Sequence, residues 1–597
     1  MNYLKHSLIN ARDFLLGTRE YFRNVLLMHG FMLFLLIPLL SRSTNFILRQ
    51  GGIPYISFDN IGQILTQHLW VTLALLVVLI GIILAIFFEF TFLLLSVYFI
   101  KKKQPIRLMQ LLKVTLKQMK KVRIETILFF FFYFFLVLPI GGLSFQSDLL
   151  TKVKIPAFIL DFIFANRLLF ISAFVLLYLA MLYLGIRLIF ALPEMILRDR
   201  PFKLAVKESW HLTKKRFISI VAQFLIITGT TLALTSLGFF VVVSIQRLIE
   251  HFYPDNSLIS AVFAMTFLQF FLLINIVLST VGIFYVIVDF MDDEGFLPDT
   301  PHWFVEQAAS KYTGLMQSLL FVAAIFFGVG VSLYNYDYLT NFNLHTPIKV
   351  SHRGVSNGNG VQNSITALEK TSEAYHPDYI EMDVQLTNDG EFIVFHDFNF
   401  KALTGVSKKP ENSSLEDALS LTVEENGMTS PIHTFDEYLA AAEAIGQKLM
   451  VEIKTQKKNT QELTERFVEK YATRLIEDGH IVQSLTFQVI EDLKTLAPNL
   501  TAGYILPFNL VGPPDSQADF LTLEYTTLNR SFIQTAQSDG TSVFVWTTND
   551  SDTINRMMFY GVDGLITDQM ALLNQTTTKP EIMTYSDKLM NFVLGFG

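Results

Sequence analysis

The sequence predicts a multi-pass α-helical membrane domain followed by an α/β domain, a (β/α)₈ barrel. Composition supports the first part: 51% of the 597 residues are hydrophobic and 56 are Phe, more than in an ordinary soluble protein. Pattern supports the second, because after residue 347 short β-rich runs alternate with helical patterns. The charge divides at the same place. Residues 1–346 carry 28 Lys and Arg against 19 Asp and Glu, whereas the remainder carries 18 against 34.

Seven apolar runs in the first half are long enough to span a bilayer. Buried helices of a soluble protein do not explain them, because seven such runs would leave no polar helix faces for a surface. The second, fifth and sixth runs exceed the usual length, which indicates tilted or extended helices. The runs are 25–40, 71–100, 127–143, 168–192, 217–245, 258–288 and 315–334.

The distribution of Lys and Arg among the loops predicts the orientation of these spans. Basic residues concentrate in the N-terminal segment and in residues 101–123 and 198–216, and they are sparse in the alternate loops. The N-terminus is therefore expected to be cytoplasmic, and seven spans place the rest of the chain after residue 334 outside the cell. One loop opposes this pattern, since residues 289–299 are acidic, although acidic residues contribute little to orientation.

The two basic loops share a short repeat. Residues 104–108 read Gln-Pro-Ile-Arg-Leu, residues 200–204 read Arg-Pro-Phe-Lys-Leu, and a weaker third copy begins at Thr300. A proline suits the first turn of a helix, and the apolar and basic residues that follow it alternate at helical spacing. The repeat therefore predicts cytoplasmic amphipathic elbow helices at the membrane surface. Generic positively charged loops are the alternative interpretation.

Two charged residues, Glu89 and Arg187, fall inside apolar runs, where a charge is costly. They could pair with each other or line a groove that lipid can enter. Alternatively, each lies near an interface and extends its charged end to water. The sequence leaves these readings open.

The second half contains nine strand candidates, one more than a barrel of eight needs. Asn388-Asp389-Gly390 separates two of them, and Asp-Gly between strands indicates a hairpin. We therefore expect residues 392–396 to fold back antiparallel beside residues 379–386, which leaves eight parallel strands in a TIM barrel. A polar linker at residues 335–346 reaches at most about 40 Å when extended, so the barrel is expected to stay close to the bilayer.

The residues suited to chemistry concentrate between Ser351 and Asp397. Glu381 and Asp383 are two apart in a strand candidate, so both side chains point to one face. Paired carboxylates on one face suit a hard divalent cation. His352 and His396 stand near the two ends of this stretch, and histidine titrates near neutral pH, which suits acid–base work.

Through these and further matching blocks the chain resembles the glycerophosphodiester phosphodiesterases, relatives of the phosphatidylinositol-specific phospholipases C. The resemblance covers residues 347–569, and the order and spacing of the blocks make it specific. The membrane half resembles the one that precedes such a domain in some Gram-positive bacterial proteins. The blocks are His352-Arg353-Gly354, Asn363, Glu381-Met382-Asp383, His396-Asp397, Glu452-Ile453-Lys454, Trp546 and residues 563–568.

The resemblance implies where the domains lie and how the cation is bound. We divide the chain into a membrane domain at residues 1–334, the linker, the barrel at residues 347–570 and a tail at residues 571–597. Glu381, Asp383 and Glu452 are expected to hold one divalent cation, Ca²⁺ or Mg²⁺, through oxygen alone. Arg353 and Lys454 are expected to bind the substrate phosphate.

The resemblance also implies an acid–base mechanism. One of His352 and His396 is expected to be the general base on the glycerol 2-hydroxyl, and the other to protonate the departing alkoxide, with the assignment open. The attack gives a cyclic phosphate that water then opens. Asn363 and Asp397 are expected to orient neighbouring groups, and Trp546 either borders the substrate or fills the barrel core.

Two residues in the matched region need separate comment. Many relatives read Glu-Asn-Thr where this chain has Gln362-Asn363-Ser364, so one carboxylate near the site is replaced by an amide. Asp568 is expected to be structural, ending the last strand at a helix. An exposed insertion is expected from Lys408 to Ser430, and the apolar residues 589–594 either touch the bilayer or are disordered.

The function expected from these observations is a membrane-anchored phosphodiesterase. It would release glycerol 3-phosphate and an alcohol from deacylated phospholipid headgroups or from the polyglycerolphosphate of lipoteichoic acid. The alternatives are a phospholipase C- or D-like enzyme on intact or lyso lipids, and a non-catalytic scaffold or sensor with a degenerate barrel. The acidic second half argues against a nucleic-acid partner. No cysteine is present, which excludes disulfides and thiolate metal sites. Membrane lipids are expected partners, and a homo-oligomer stays open.

Overall fold

The apolar runs of the first half form long helices in the computed structural model. The structure describes residues 18–53, 56, 60–104, 106–120, 129–130, 132, 168–299, 313–340, 346–455, 460–507, 512–578 and 584–593. A helix satisfies its own backbone hydrogen bonds, which is what an apolar segment in lipid requires. The helices of this half are α1 (Thr18–Phe31), which continues through a π-helical turn (Met32–Leu36) into α2 (Ile37–Gln50), then α3 (Ile61–Gln67), α4 (Leu69–Lys101), α5 (Leu108–Met119), α6 (Leu168–Arg187), α7 (Ala191–Arg198), α8 (Phe202–Phe252), α9 (Ser257–Asp293) and α10 (Thr313–Thr340).

Five stretches of the described residues are long and apolar enough to cross a membrane. They overlap the first, second, fourth, fifth and sixth predicted runs. The third run lies mostly outside the described residues, and the seventh lies in α10 without being among the five, so the count of seven stays a prediction. The stretches are Tyr21–Gln50, Leu69–Lys101, Val175–Arg198, Leu232–Phe252 and Pro254–Asp293.

The elbow repeat gives two different results. Helix α5 is a short helix that begins at Leu108, three residues after its proline and not at it. Helix α8 begins directly after Pro201 but runs without a break for 51 residues, so its amphipathic start and the fifth apolar run form one helix. The third copy, from Thr300, lies outside the described residues. The linker also begins in a helix, because α10 continues to Thr340 and Asn335 is buried within it.

The acidic loop that opposed the orientation pattern is paired with basic residues. Lys101 Nζ lies 2.5 Å from Asp289 Oδ1, and Arg216 Nη2 lies 2.9 Å from Glu294 Oε1. Lys102 and Asp292 add a longer pair at 3.7 Å. The end of α9 therefore lies at the same end of the bundle as the basic residues that follow α4 and begin α8.

The second half forms the predicted barrel. Eight parallel strands pair in sequence order, and the first strand closes the ring by pairing with both the second and the last. Strand β3 runs antiparallel to β2 after the Asp-Gly turn, which confirms the predicted hairpin. The parallel strands are β1 (Ile348–Ser351), β2 (Tyr379–Leu386), β7 (Leu449–Ile453), β8 (Ile481–Ser484), β9 (Ala502–Leu506), β10 (Phe520–Glu524), β11 (Ser542–Trp546) and β12 (Gly564–Thr567), and the others are β3 (Phe392–Val394), β4 (Thr422–Glu425), β5 (Met428–Pro431) and β6 (His433–Thr434).

Helices cover the barrel, and aromatic rings fill it. A Cβ at Gly503 would stand 2.0 Å from the Phe520 ring, so the lumen accepts that ring only because residue 503 is glycine. Gly564 makes the same room for Phe544. The helices of this half are α11 (Ile365–Tyr375), α12 (Lys401–Thr404), α13 (Leu415–Leu419), α14 (Phe435–Ala444), α15 (Gln461–Glu477), α16 (Phe487–Leu496), α17 (Arg530–Ser538), α18 (Ser551–Tyr560), α19 (Met570–Thr578) and α20 (Tyr585–Val593).

Two local predictions in this half were wrong. Strand β8 lies at residues 481–484, not 484–487, because the β-branched residues Ile481 and Val482 form the strand and Phe487 already begins a helix. The segment from Lys408 to Ser430 is not merely an exposed insertion, since it contributes the β4–β5 hairpin and buried residues such as Ala418 and Val423.

The tail packs on the membrane helices. Ser586 donates to Glu250 from both its backbone nitrogen and its hydroxyl, each at 2.7 Å, and Lys588 Nζ donates to the Leu339 carbonyl at 2.7 Å. Leu589 is fully buried in an apolar cluster with residues of α8, α9 and α10. The barrel joins the same cluster through Phe559 of α18. Among the described residues, helix α20 therefore ties the end of the chain to the membrane domain.

Candidate active site

The predicted catalytic residues meet at the carboxyl ends of the barrel strands. His352 follows β1, Glu381 and Asp383 lie in β2, and Glu452 lies in β7. Strands β2 and β7 are neighbours, with Asp383 directly opposite Glu452. The β2–β3 hairpin turns the chain back, so His396 follows β3 near the same level. In barrels of this type the carboxyl ends of the strands are the face where chemistry occurs.

The three predicted metal-binding carboxylates form one cluster. Glu381, Asp383 and Glu452 each place a carboxylate oxygen within 4.8 Å of the others, and all three are buried. Asp383 Oδ1 is buried and accepts no hydrogen bond from the residues that the structure describes. An unpaired buried carboxylate oxygen is costly unless a cation satisfies it. An all-oxygen donor set of this kind fits a hard divalent cation such as Ca²⁺ or Mg²⁺.

The electrostatics of the cluster differ from residue to residue. Burial, together with the neighbouring Asp383 and Glu452, raises the pKa of Glu381 well above its usual range. Burial acts in the same direction on Asp383, but His396, Lys454 and Arg353 outweigh it and lower the pKa of that carboxyl. Without a cation, Glu381 is therefore the member that keeps a proton, because three carboxylates this close do not all ionise.

Arg353 connects the first strand to the carboxylates. Its backbone has a positive φ of 54°, a conformation that is strained for a residue other than glycine and is often found at functional sites. In this conformation its backbone nitrogen donates to Glu381 Oε2 at 2.8 Å. Its guanidinium donates to Gln362 Oε1 at 2.7 Å, and Nε lies 3.9 Å from Asp383. Arg353 thus lies beside the cluster, as its predicted role requires.

Lys454 is a buried cation at the same site. Its Nζ lies 3.3 Å from Glu452 Oε1 and 3.6 Å from Asp383 Oδ1. Burial alone would lower the pKa of Lys454, but the two carboxylates outweigh burial and raise it. The side chain therefore stays charged at neutral pH, which is what a phosphate-binding residue needs.

Each candidate acid–base histidine is held by a carboxylate. His396 Nδ1 lies 2.7 Å from Asp397 Oδ1, a contact that fits the predicted orienting role of Asp397. His352 Nδ1 lies 2.8 Å from Asp568 Oδ1, and Asn549 donates to the other oxygen of Asp568 at 2.7 Å. In both histidines the Nδ1 atom is engaged, which leaves Nε2 for proton transfer to a substrate.

The structure corrects the reading of Asp568. It does more than end the last strand, because the barrel closes by pairing β1 with β12 and this pairing brings Asp568 to His352. Burial would raise the pKa of Asp568, but its bonds with His352 and Asn549 outweigh burial and lower it. The signal was present in the sequence, since in a closed barrel the residue after the last strand lies beside the residue after the first.

Asn363 and Gln385 form hydrogen bonds that hold parts of the site in place. Asn363 has a positive φ of 60°, donates to Asp383 Oδ2 at 2.8 Å and accepts from the Asp383 backbone nitrogen at 3.1 Å. Both contacts of Asn363 are therefore with Asp383, one of the three predicted metal-binding carboxylates. Gln385 was not predicted. Its buried amide donates to the carbonyls of residues 395, 396 and 397 at 2.8, 3.1 and 2.9 Å, which fixes the segment that carries His396.

Gln362, the amide that replaces the expected carboxylate, is hydrogen-bonded to the carboxylate of Glu425. Gln362 accepts from Arg353, and its own amide donates to Glu425 Oε1 at 2.6 Å. Its backbone nitrogen donates to the other Glu425 oxygen at 2.8 Å. Glu425 ends strand β4, so the segment expected to be an insertion supplies a carboxylate to the site. Gln362 connects this carboxylate to Arg353.

Trp546 ends strand β11 at the mouth of the barrel. The ring is half-buried and packs on the lumen cluster that contains Phe520 and Phe544. The structure therefore places Trp546 against the barrel core, and its contact with a substrate stays a prediction.

Comparison with known proteins matches both halves of the chain to families. A family model described as the membrane domain of glycerophosphoryl diester phosphodiesterase matches residues 9–331. A second model, the glycerophosphoryl diester phosphodiesterase family, matches residues 352–572. The first covers more than half of the chain.

Individual relatives match the barrel. The chain is 29% identical over 230 residues to a glycerophosphodiester phosphodiesterase of Caldanaerobacter subterraneus subsp. tengcongensis, covering 37% of this chain and 93% of that protein. A protein of the same name from Bacillus altitudinis is 26% identical over 236 residues, covering 36% and 93%. Among solved structures, an Oleispira antarctica phosphodiesterase in complex with the product sn-glycerol-3-phosphate is 18% identical with a TM-score of 0.35, covering 39% of this chain and 97% of that one.

Proposed function

Since the chain belongs to the glycerophosphoryl diester phosphodiesterases that carry an N-terminal membrane domain, and is therefore a phosphoric diester hydrolase, we propose that it is a metal-dependent enzyme anchored in the cell membrane. It hydrolyses glycerophosphodiesters outside the cell to glycerol 3-phosphate and an alcohol. One observation carries the proposal: three buried carboxylates within 4.8 Å of one another lie between two histidines, each of which contacts a carboxylate through Nδ1.

Glu381, Asp383 and Glu452 would hold one divalent cation, Ca²⁺ or Mg²⁺. When bound, such an ion neutralises phosphate charge and lowers the pKa of an oxygen that it contacts. Lys454 contacts two of the three carboxylates and limits the excess negative charge that an anionic substrate meets. Arg353 offers a planar fork for the phosphate oxygens, which a lysine does not.

His352 and His396 divide the proton transfers. One accepts the proton of the glycerol 2-hydroxyl as its oxygen attacks phosphorus, and the other donates a proton to the alkoxide that leaves. The product is a cyclic phosphate, and the same two groups then work in reverse as water opens the ring. Asp568 and Asp397 keep Nδ1 of each histidine occupied, so that both proton transfers use Nε2.

The arrangement of the bundle supports a barrel outside the cell. The basic residues that predict the cytoplasmic side lie at one end of the helices, together with the acidic residues that neutralise them. The barrel and helix α20 contact the C-terminal ends of α8 and α10, at the other end of the bundle from these basic residues. A barrel held at this position favours substrates at the membrane, such as deacylated phospholipid headgroups and the polyglycerolphosphate of lipoteichoic acid.

The test uses the full-length protein purified in detergent. Glycerol 3-phosphate released from glycerophosphocholine and from polyglycerolphosphate is measured enzymatically, with and without EDTA. We expect release that EDTA stops and that Mg²⁺ or Ca²⁺ restores. The variants His352→Ala and Glu381→Gln should be inactive, whereas Glu443→Gln at the far end of the barrel should be active.

Two results would count against the proposal. Equal inertness of the parent and both active-site variants on all substrates would remove the enzymatic function and favour a scaffold. Release of diacylglycerol from intact phospholipid in place of glycerol 3-phosphate would assign a phospholipase. A protease-protection experiment on intact cells tests the orientation separately, and cleavage of the barrel only after lysis would overturn the extracellular placement.

A further inference from the structure

A groove of about 970 Å³ lies in the membrane domain, far from the catalytic site. It is bounded by the end of α6 and the amphipathic first third of α8. Residues of α8 from Lys203 to Lys214 line it, whereas Glu250, which contacts helix α20, lies near the other end of the same helix. At 1.5 Å per residue, about 50 Å of helix separates Lys214 from Glu250. The groove and the barrel are therefore at opposite ends of the bundle.

Arg187 is the buried cation of this groove. It is only 4% exposed, and it forms no ion pair with any residue in the described part of the chain. Its Nε has no hydrogen-bond partner there. The guanidinium lies 4.2 Å above the centre of the Trp210 ring and 6.0 Å from that of Tyr183. Stacking on aromatic rings offsets part of the cost of burial, but it does not supply a hydrogen-bond acceptor for Nε, which has none among the described residues.

The backbone around Arg187 is fixed in place. The Ser209 hydroxyl donates to the Arg187 carbonyl at 2.9 Å and accepts from the Phe190 backbone nitrogen at 3.2 Å. Thr213 adds a longer bond to the same carbonyl at 3.4 Å. These contacts join α6 to α8 on the buried face of α8. The opposite face of α8 is the one that faces the groove.

The groove carries an excess of positive charge. Lys203, Lys207 and Lys214 follow helical spacing along one exposed face of α8, and none of the three has an ion pair with a described residue. Among the described residues of the lining, Glu208 is the one carboxylate, and it is engaged by Arg198 at 3.2 Å and by Arg200 at 3.7 Å. Neutralisation of Glu208 by residues outside the lining leaves Arg187 and the lysines for an anion.

The walls of the groove are apolar and aromatic. Tyr183 and Trp210 are 46% and 40% exposed, and Phe217 and Phe296 add two further aromatic rings to the lining. Aromatic rings next to basic residues are typical of the level where lipid headgroups meet acyl chains. The site thus combines a fork for a phosphate, point charges around it and a surface for hydrocarbon.

We propose that this groove binds a phosphate-bearing anionic membrane lipid, with its phosphate at Arg187 and the lysines of α8 and its acyl chains against the aromatic wall. A planar guanidinium recognises a phosphate through two parallel hydrogen bonds. Basic residues near the surface add attraction for anionic headgroups. The site lies outside the catalytic machinery and does not depend on the proposed reaction.

The test is retention of lipid by the full-length protein in detergent, measured by native mass spectrometry. The probe is dioleoylphosphatidylglycerol, and dioleoylglycerol is the same lipid without the phosphate. We expect retention of the first and not of the second. Inorganic phosphate in tenfold excess should not displace the lipid. The Glu381→Gln variant should retain lipid as the parent does, because the catalytic carboxylates are not part of the groove.

Matched charge variants separate a built site from general attraction. Lys203→Gln with Lys207→Gln should weaken retention at least tenfold, and Arg187→Gln should do the same. The control pair, Lys113→Gln with Lys117→Gln, removes the same charge from α5, which follows the other basic loop, and should change retention less than twofold. Because Arg187→Gln could fail to fold, the exposed lysine pair decides the result on its own.

Several outcomes would overturn the proposal. Equal weakening by both lysine pairs would mean diffuse attraction of anionic lipid, and no weakening by either would mean that the groove does not bind it. Equal retention of dioleoylglycerol would assign an apolar groove only. Displacement by inorganic phosphate would assign a site for a free anion instead of a lipid.

Discussion

Two clusters of side chains that could bind a metal ion lie at opposite ends of the barrel. The catalytic cluster, Glu381, Asp383 and Glu452, is at the carboxyl ends of the strands and is fully buried. The second cluster, Glu443, Asp478 and His480, is at the amino ends of β7 and β8 and is partly exposed. Both place three ligand atoms within 4.8 Å, so ligand count and spacing alone do not distinguish them.

The difference lies in what already satisfies each cluster. Glu443 is engaged by Arg474 through both oxygens, and His480 accepts from the Leu449 backbone nitrogen at 2.8 Å. In the catalytic cluster, Asp383 Oδ1 has no hydrogen-bond donor among the described residues. A cation would therefore satisfy an unmet need at the catalytic end, whereas at the other end it would have to displace an arginine. Unsatisfied buried oxygen, more than acidity, marks the functional site.

The largest expected difference in activity is between two variants that each replace one carboxylate by an amide, one in each cluster. Glu381→Gln should lower kcat/KM by about 1,000-fold or more, since it removes a ligand whose cation stabilises charge by several kcal/mol. Glu443→Gln should lower it less than twofold. Steady-state release of glycerol 3-phosphate measures both. Similar losses in the two variants would show that the clusters do not differ as described.

The next effect concerns Asp568, to which the sequence analysis assigned only a structural role. Asp568→Asn keeps the shape of the side chain but removes the charge that holds His352 Nδ1, and we expect kcat to fall about 100-fold or more because the imidazole loses its orientation and favoured tautomer. KM should change little, and circular dichroism should show a folded protein. A kcat within a few-fold of the parent would return Asp568 to a structural role.

A third effect is the pH dependence of metal binding. The raised pKa of Glu381 means that the metal-free site holds a proton there, and the cation has to displace it. Below that pKa, affinity should therefore rise by about tenfold per pH unit, with about one proton released per ion, and it should level off above it. Calorimetry in buffers of different ionisation enthalpy counts the protons. Affinity that does not vary with pH would contradict the assignment, and Glu443→Gln should keep the slope.

The smallest effect on activity should come from His480. Burial lowers the pKa of His480, so it is neutral and accepts a hydrogen bond as part of the fold. His480→Ala leaves the Leu449 nitrogen unsatisfied and should cost about 1–3 kcal/mol of stability, with kcat changed less than twofold. Thermal unfolding followed by circular dichroism measures the loss. A large fall in kcat without loss of stability would give the second cluster a catalytic role.

The sequence predicted those parts of the site that depend on local rules. The period of two in β2 placed Glu381 and Asp383 on one face, and the Asp-Gly turn placed β3 antiparallel to β2. Both rules involve residues close together in the chain. The barrel itself followed from the alternation of strands and helices.

Contacts between distant residues were not predicted. The His352–Asp568 pair spans 216 residues and depends on closure of the ring. The three bonds of Gln385 depend on the path of a loop, and Glu425 reaches Gln362 only because the β4–β5 hairpin folds over the site. Strand β8 was misplaced because residues 485–487, which lead into α16, were assigned to the strand. Local propensity does not encode these positions, since tertiary packing decides them.

Helix α20 affects how far the barrel can move from the membrane domain, because it packs on the membrane helices. A domain that is joined to its neighbour by one linker can move within the length of that linker. This one is fastened to the membrane helices at its entrance by α10 and again at its exit by Ser586 and Lys588. Contacts at both places restrict how far the barrel can swing relative to the membrane helices. If the proposed function holds, these contacts and the length of the linker together set which phosphodiesters the barrel can reach.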